Sequence, residues 1–256
     1  MKRILIPSII CAALAGCTEN APQAADENSL KVECYARSTS GGNVIVKDFG
    51  MYVMNGSSSY EGVNNPVHVT YGTSWQYPEI WLDREATIYA FYPYQSTSDI
   101  TNIPLSLSPQ TDYLATTSAI LASRSNPSIH IILDHLLAKI QIRIDGSKDL
   151  TYTITNIETS GTYNLSGNNL SVSTPGTVTS SGSEALIFPA REKSLSMSIS
   201  YNGKSYNYVA PSKTYESGKE YTYNLKINDS KELVIVGEVE VNPWQVGGNY
   251  EGTVRE

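Results

Sequence analysis

The sequence predicts an all-β fold built from β-sandwich domains, and three observations support this prediction. Apolar and polar residues alternate with a period of two in many short stretches, as in strands that bury one face and expose the other. The chain of 256 residues has 18 Tyr against 3 Phe, and only 17% of it is charged. That composition is typical of strands joined by polar turns rather than of long solvated helices. Turns rich in Gly, Asn, Ser and Pro separate the alternating stretches.

The first 16 residues resemble an export signal. Lys2 and Arg3 form a positive start, and the apolar run of residues 4–13 is too short to cross a bilayer as a permanent helix. The run ends in Leu-Ala-Gly-Cys, which resembles a bacterial lipoprotein box. We therefore predict that residues 1–16 are a lipoprotein signal peptide and that Cys17 carries the lipid anchor. The alternative is an ordinary secretory signal with an incidental cysteine.

Removal of this signal would leave 256 − 16 = 240 residues and, with Lys2 and Arg3 gone, would change the formal charge from −7 to −9. An acidic chain without a basic patch is a poor partner for nucleic acid. Cys11 would leave with the signal and Cys17 would be lipidated, so that Cys34 alone remains. No intramolecular disulfide is then expected, and stability must come from burial and sheet hydrogen bonds.

Residues 17–29 are small, polar and acidic without any period, which predicts a flexible tether between the membrane and the fold. The length of the remainder favours two sandwich domains over one. We place the boundary at the turn-rich sequence SRSNPS, which gives an N-terminal domain over residues 30–126 and a C-terminal domain over residues 127–256.

The predicted strands follow in chain order. Residues 86–92 (ATIYAFY) are apolar at both odd and even positions and are expected to form an interior strand. In residues 139–144, 194–201 and 220–227 apolar and polar residues alternate, so each of these strands should bury one face. The pair Asn202-Gly203 between two alternating runs predicts a hairpin with a type I′ turn. The best local candidate for a helix, residues 116–123, is short.

The titratable residues predict no catalytic centre. His130 and His135 lie five apart, which places them on opposite faces of a strand, so they cannot share a metal ion without a β-bulge. His68 lies alone in a short strand. Glu238 and Glu240 alternate with valines, as on a solvated strand face. No phosphate loop, nucleophile elbow or zinc signature is found. We therefore expect no metal, no cofactor and no enzymatic activity.

One aromatic cluster supports an alternative function. Trp75, Tyr77 and Trp81 lie close together in SWQYPEIW, and aromatic platforms stack the sugar rings of glycans. A lipid-anchored glycan-binding protein is therefore the alternative. The interpretation we favour is that these rings fill a sandwich core or fasten a loop to it.

Several short sequences occur together in an order that resembles the fimbrillin (Mfa-like) family of bacterial surface lipoproteins. They are AFYPY at 90–94, TDYLA at 111–115, LDHLLAKI at 133–140, SGTY at 160–163 and YTYNL at 221–225, followed by a strand that closes on Pro243-Trp244. The similarity extends from about Lys47 to Trp244.

The resemblance implies two tandem transthyretin-like, Greek-key β-sandwich domains and a role as a subunit of a type V pilus. In that family the subunit is exported as an outer-membrane lipoprotein, and a protease then cuts after an arginine or lysine near the first strand. The lost strand leaves an apolar groove that a strand of a neighbouring subunit fills. Anchor and tip members keep the fold without performing every step.

Two stretches of this chain match that mechanism. In LKVECYAR, the residues Leu30, Val32, Cys34 and Ala36 share one parity, which suits a first strand in a groove, and Arg37 precedes the loop sequence STSGG. We predict Arg37 as the site of proteolytic maturation; a simple strand-end cation is the alternative.

The C-terminal stretch is the candidate donor strand. Leu233, Ile235, Val239 and Val241 share one parity, and a polar tail follows them. Whether this end swings out to a partner or closes its own sheet stays open.

The sequence thus predicts a non-enzymatic fimbrial subunit, or an accessory, anchor or tip protein, that contributes to adhesion. Its expected location is the outer membrane and cell surface, with the lipid on Cys17 as the anchor at least during export. Its expected partners are other pilus subunits through β-strand addition, with a host or glycan ligand as a further partner and no nucleic acid.

Overall fold

A computed structural model describes residues 28–37 and 44–244, which contain strands, turns and loops but no helix. The all-β prediction is confirmed. The strands, in chain order, are β1 (Lys31–Ala36), β2 (Val44–Ile45), β3 (Asp48–Asn55), β4 (Ser58–Ser59), β5 (Val67–Tyr71), β6 (Trp75–Gln76), β7 (Ala86–Tyr92), β8 (Ile103–Ser106), β9 (Leu114–Ala115), β10 (Ile120–Ala122), β11 (Ser128–His135), β12 (Ala138–Ile144), β13 (Leu150–Asn164), β14 (Asn169–Thr179), β15 (Glu184–Ile187), β16 (Ala190–Lys193), β17 (Ser196–Tyr201), β18 (Lys204–Val209), β19 (Lys213–Tyr215), β20 (Lys219–Ile227), β21 (Leu233–Ile235) and β22 (Glu240–Pro243).

The first sheet has ten strands in the order β2-β1-β11-β9-β7-β3-β5-β6, with β10 on β7 and β4 on β3. Its two ends meet: the segment directly after β6 returns to β1, where Ser29 and Trp81 form an isolated antiparallel bridge. The sheet therefore curls around its own core and leaves β1 enclosed on both sides.

Two five-stranded sheets build the second half of the molecule. One has the order β15-β12-β20-β21 with β22 also on β20, and the other has the order β14-β13-β17-β18 with β8 also on β13. The strands β16 and β19 form a separate two-stranded sheet.

The buried apolar side chains form two clusters, one inside the first sheet and one between the sheets of the second half. Strand β3 contributes to both. Phe49, Met51 and Val53 face the first core, whereas Tyr52 and Met54 belong to the second. Because successive side chains of a strand point to opposite faces, the two cores pack against opposite faces of β3. The two halves therefore share an apolar contact.

The chain passes from the first sheet to the sheets of the second half at a later position than the domain boundary predicted after residue 126. Strand β11 lies beyond that boundary but pairs with β1 in the first sheet, and β8 lies before it but pairs with β13. The sequence around Ser123 forms a tight turn from β10 into β11, with paired main-chain hydrogen bonds between Ser123 and Asn126, rather than a linker. The chain leaves the first sheet for the last time at Leu136 and Leu137, between β11 and β12.

Local patterns predict several elements correctly. Strand β7 pairs with β3 on one side and with β9 and β10 on the other, as expected of an interior strand. Asn202 and Gly203 have φ of 50° and 70° between the paired strands β17 and β18, which fits the predicted type I′ turn. The helix candidate at residues 116–123 instead contains β10, because these residues pair with β7.

Candidate functional site

The candidate site is the slot that holds β1, which lies between β11 and a second wall. On one side β1 pairs in parallel with β11 over six residue pairs, from Lys31 with Ser128 to Ala36 with Leu133. Main-chain bonds extend this ladder at both ends, from Lys31 N to Pro127 O at 2.8 Å and from Arg37 N to Leu133 O at 2.8 Å. The strand is thus held along its whole length by β11.

The inward face of β1 is the predicted one. Leu30, Val32, Cys34 and Ala36 are all buried, with 3% or less of each exposed, and belong to the first core. Burial raises the pKa of the Cys34 thiol well above its usual range, so this thiol stays protonated and unreactive in the closed structure. If β1 left, the slot would expose an apolar floor.

The second wall is built from separate pieces of the chain. Near the end of β1, β2 pairs with Tyr35 and Ala36, and Val46 donates its N–H to Cys34 O at 3.1 Å. Near the beginning, Leu30 donates its N–H to Ile80 O at 2.9 Å. Main-chain groups thus hold both ends of this edge of β1.

Between these two pieces the wall is a side chain. The Tyr77 hydroxyl donates to Leu30 O at 2.9 Å and accepts the N–H of Val32 at 3.1 Å. Burial raises the pKa of Tyr77, so the hydroxyl is protonated at neutral pH and can donate and accept at once. Sequence reasoning missed this role, because the hydrogen bonds join residues 45 and 47 positions apart.

Arg37 directly follows β1 and has an exposed side chain, 59% of which is accessible. Its guanidinium forms an ion pair with Asp134 on β11, and the Thr117 hydroxyl also donates a hydrogen bond to this carboxylate, at 3.2 Å. The hydrogen bond to Asp134 and its charge raise the pKa of Arg37. The residue predicted for maturation is therefore accessible but held along β11. Residues 38–43, which come next, lie outside the described part of the chain.

The predicted donor residues lie along the edge of β20 that faces away from β12. Strands β21 and β22 both pair antiparallel with β20, on the side away from β12. Leu233 is buried, Ile235 and Val239 are partly buried against the second core, and Val241 is 43% exposed. The four side chains therefore do not share one buried face here, because the chain turns between β21 and β22, where Gly237 has a φ of 74°.

Trp244 anchors the end of this C-terminal segment. Its ring is 8% exposed and stacks on His135 of β11 with centroids 4.0 Å apart, and Lys139 lies 5.3 Å from its ring centre. The main-chain N–H of Trp244 donates to Gly218 O at 2.8 Å. A cleft of about 520 Å³ lies here and is lined by both Arg37 and Trp244. The end of β1 and the end of the C-terminal segment thus meet at one place.

His135 is buried and tied to this anchor. Its Nδ1 lies 3.0 Å from Asp112 Oδ1, and its Nε2 makes no hydrogen bond to any described residue. His135 has the same parity as Lys139 in the sequence, but β11 and β12 lie in different sheets, so the parity does not continue between them. His130 is exposed, so the two histidines do lie on opposite faces.

The three residues of the predicted aromatic platform have separate roles. Trp75 is partly buried and packs on Phe49 and Tyr71, with centroids 6.0 and 4.7 Å away. Tyr77 bonds to β1, and the side chain of Trp81 is 50% exposed. The rings do not stack on one another, so Trp81 alone offers a large open aromatic surface.

The described residues hold neither a metal-binding cluster nor a membrane-spanning helix. No group of three or more His, Cys, Asp or Glu residues that could hold a metal ion occurs between residues 28 and 37 or 44 and 244. The same ranges hold no helix of the length and hydrophobicity that a bilayer crossing needs. Cys17, predicted to carry the lipid, lies outside the described residues.

Comparison with known proteins gives one family and several similar structures. A family model described as fimbrillin-like matches residues 37–244. A candidate cell adhesion protein from Bacteroides uniformis is 20% identical, with a TM-score of 0.66 over 85% of this chain and 98% of that one. A second, from Bacteroides ovatus, is 14% identical, with a TM-score of 0.64 over 86% and 99%.

The tip fimbrial protein Mfa3 from Porphyromonas gingivalis, with a C-terminal truncation, is 12% identical, with a TM-score of 0.50 over 84% of this chain and all of that one. At these identities the likeness concerns the fold. No curated protein sequence matches the chain.

Proposed function

The chain belongs to the fimbrillin-like family, and on that premise we propose that it is a non-enzymatic subunit of a type V pilus, joined to its neighbours by exchange of β-strands. Family membership makes it a fimbrial or adhesion subunit of the cell surface. The proposal adds the mechanism of assembly and the route of export, with residues 1–16 as the signal and Cys17 as the lipidated residue.

One observation carries the proposal: β1 is a complete strand in an enclosed slot, followed at once by an exposed arginine. The inward side chains of β1, and of Leu30 just before it, are buried, and the main chain of the strand is bonded on both edges. Cutting after Arg37 would remove the only covalent link between β1 and the remainder of the fold. The strand would then be held by non-covalent contacts alone and could be exchanged.

An emptied slot would bind a new strand strongly. Each buried side chain of Leu or Val size contributes about 1.5–3 kcal/mol, and a vacant slot also leaves the N–H and C=O groups of β11 without partners. An extended apolar strand satisfies both needs, which is the general basis of strand addition to a sheet. The incoming strand requires apolar residues at alternate positions, as in β1.

The C-terminal segment of this chain has the composition of such a donor. In an extended conformation Leu233, Ile235, Gly237, Val239 and Val241 would all point to one face. In the closed structure the segment occupies an outer edge, bonded to β20 alone. Its release would need fewer hydrogen bonds to break than release of an interior strand.

The test is the N-terminal residue of the surface protein in the native host. We expect mature chains to begin at Ser38 and to form ladders that resist SDS. Arg37→Ala should abolish both, whereas Arg124→Ala, which alters an exposed arginine in the turn before β11, should change neither. Surface protein that begins at lipidated Cys17 and remains monomeric would contradict the shaft role and indicate a permanent anchor.

The export route has its own test. Cys17→Ala should abolish labelling of the precursor by radioactive palmitate and should leave the protein in soluble fractions. Normal labelling of the variant would show that the anchor lies elsewhere.

Glycan binding is the second candidate, supported by the 50% exposure of Trp81. Trp81→Ala should then abolish retention on polysaccharide columns without changing the thermal unfolding of the protein. Trp75→Ala serves as a comparison that also disturbs packing on Phe49. Wild-type protein that shows no retention on any polysaccharide would eliminate this candidate.

A further inference from the structure

The second wall of the slot has a gap in its main chain. The Ser29–Trp81 bridge holds the beginning of β1, and Leu82 completes that bridge by donating its N–H to Asn28 O at 3.1 Å. Val46 and β2 hold the end of the strand from Cys34 onward. Among the described residues, no main-chain group of this wall bonds to Leu30 O or Val32 N, and the Tyr77 hydroxyl bonds to both atoms instead.

The geometry of these two bonds is that of a parallel ladder. In a parallel pair, one residue donates to the carbonyl of residue i−1 on its neighbour and accepts the N–H of residue i+1. The Tyr77 hydroxyl does the same for Lys31, since it donates to Leu30 O and accepts from Val32 N. One oxygen atom thus replaces a strand residue at this point of the wall.

A second tyrosine provides a natural comparison. The Tyr113 hydroxyl also donates to a carbonyl and accepts an N–H, but both groups belong to Ser106, at 3.1 Å each. That pattern imitates an antiparallel pair, and it lies on β8 in the second half of the molecule. The same chemistry therefore occurs both in the slot and away from it.

We propose that Tyr77 is a positioning residue for strand exchange, whose hydroxyl binds the main chain of whichever strand fills the slot. It holds β1 before maturation and the strand of the partner subunit afterwards. The inference rests on the proposed function for the second of these strands. Because both hydrogen bonds go to main-chain atoms, they do not depend on the side chains of the incoming strand.

A peptide-binding measurement tests this. The full chain is cut after Arg37 with an arginine-specific protease, the released residues 1–37 are removed, and the binding of two fluorescent peptides, residues 28–37 and residues 232–242, to the emptied slot is followed by anisotropy. The uncut chain, whose slot is filled, is the blank. Tyr77→Phe should weaken the affinity of the slot for both peptides by a similar factor of about ten, which is the net effect of losing two hydrogen bonds. Tyr113→Phe, the matched control, should leave both affinities unchanged.

A change in the peptide separates binding from folding defects of the variant. Replacing the Val32 amide of the first peptide by an ester removes the N–H that Tyr77 accepts. The ester should weaken binding to wild-type protein but have little further effect on Tyr77→Phe. Equal loss with both proteins, or no loss with the wild type, would overturn the proposed role. The same holds if Tyr77→Phe weakens one peptide and leaves the other unaffected.

Failure of the proposed function would look different. If the protein is not a strand-exchanging subunit, wild-type cut chain would bind the first peptide, and Tyr77→Phe would still weaken it, but the second peptide and purified pilus subunits would not bind at all. That outcome would restrict Tyr77 to holding β1 and would overturn its role in exchange.

Discussion

Strands β1 and β12 each pair in parallel with a strand that follows much later in the same half of the molecule. Strand β1 meets β11 through six residue pairs, and β12 meets β20 through six as well. Both strands also bury one apolar face, with Val32 and Cys34 in the first core and Ile140 and Ile142 in the second. The two strands thus hold equivalent positions in their sheets.

Their second edges and their connections differ. The other edge of β12 pairs with β15 through four residues of regular main chain, and Leu136 and Leu137 alone join it to β11. The other edge of β1 is a wall assembled from β2, Tyr77 and Trp81. Under the proposed function, β12 is a permanent strand and β1 a replaceable one, and the two differ in the groups along the second edge and in the segment that joins each strand to the fold.

The strongest test of this difference is Ile140→Ala in β12. Removing a fully buried isoleucine side chain leaves a cavity, and we expect a loss of about 2–5 kcal/mol in the free energy of unfolding. Urea denaturation followed by circular dichroism measures it. A loss no larger than that of Val32→Ala in β1 would mean that the two strands are not different in permanence.

Alkaline pH should distinguish the two cores. The Tyr215 and Tyr223 hydroxyls bond to each other at 2.6 Å in the second core, and burial raises the pKa of Tyr215 to about 12 and that of Tyr223 further. Because an unfolded tyrosine titrates near pH 10, the unfolded state loses protons first. The stability from these groups is complete below about pH 10 and falls as the pH rises towards 12.

Tyr215→Phe sharpens the alkaline test. At pH 8 it should reduce stability by about 1–3 kcal/mol, because the Tyr223 hydroxyl loses its partner in a buried site. Above pH 10 the remaining fall in stability should be shallower than in the wild type. Tyr60 is the tyrosine among the buried residues of the first core, so Tyr60→Phe serves as the comparison. Identical alkaline curves for Tyr215→Phe and wild type would contradict the prediction.

Val32→Ala should weaken β1 without disturbing β12. Losing two buried carbon atoms reduces the stability of the strand in its slot by about 1–2 kcal/mol. The rate at which iodoacetamide alkylates Cys34 reports this, since the thiol is buried and protonated until β1 opens. We expect alkylation about tenfold faster than in the wild type. An unchanged rate would show that Val32 does not hold the strand.

The smallest expected effect is that of Asp134→Asn. An exposed ion pair contributes about 0.2–1 kcal/mol, so releasing the Arg37 side chain should accelerate cleavage after it by at most about fivefold. Cutting by an arginine-specific protease, followed by mass spectrometry, measures the rate. Asp83→Asn releases Arg84 from a similar exposed pair and should not affect cleavage at Arg37. Slower cleavage in Asp134→Asn would mean that the ion pair presents Arg37 to the protease.

Local patterns predict those parts of the fold that depend on neighbours in the chain. The alternation of Leu30, Val32 and Cys34 correctly predicts the buried face of β1, and Asn202-Gly203 correctly predicts the hairpin. Both follow from the two-residue period of a strand and from the φ that each turn position requires. Gln141 and Thr222 are buried despite their polar type, because β12 and β20 are interior strands with partners on both sides.

Contacts between distant segments could not be predicted in this way. Nothing in SWQYPEIW indicates that Tyr77 bonds to residues 45 and 47 positions earlier, and the pairing of β8 with β13 crosses the predicted domain boundary. The stacking of Trp244 on His135 likewise joins two sheets. A large aromatic residue at the end of an exposed strand was the one available signal for this anchor.

The short connection at Leu136 and Leu137 has a mechanical consequence. A pull along β1, or along a strand that replaces it in the same direction, acts parallel to the six-pair ladder with β11 and loads all its hydrogen bonds together. The force then passes through two residues into β12 and the equivalent ladder with β20. Ladders loaded in shear yield only when many bonds break at once, whereas peeling breaks them singly. The chain therefore contains a continuous tension-bearing path from one half to the other.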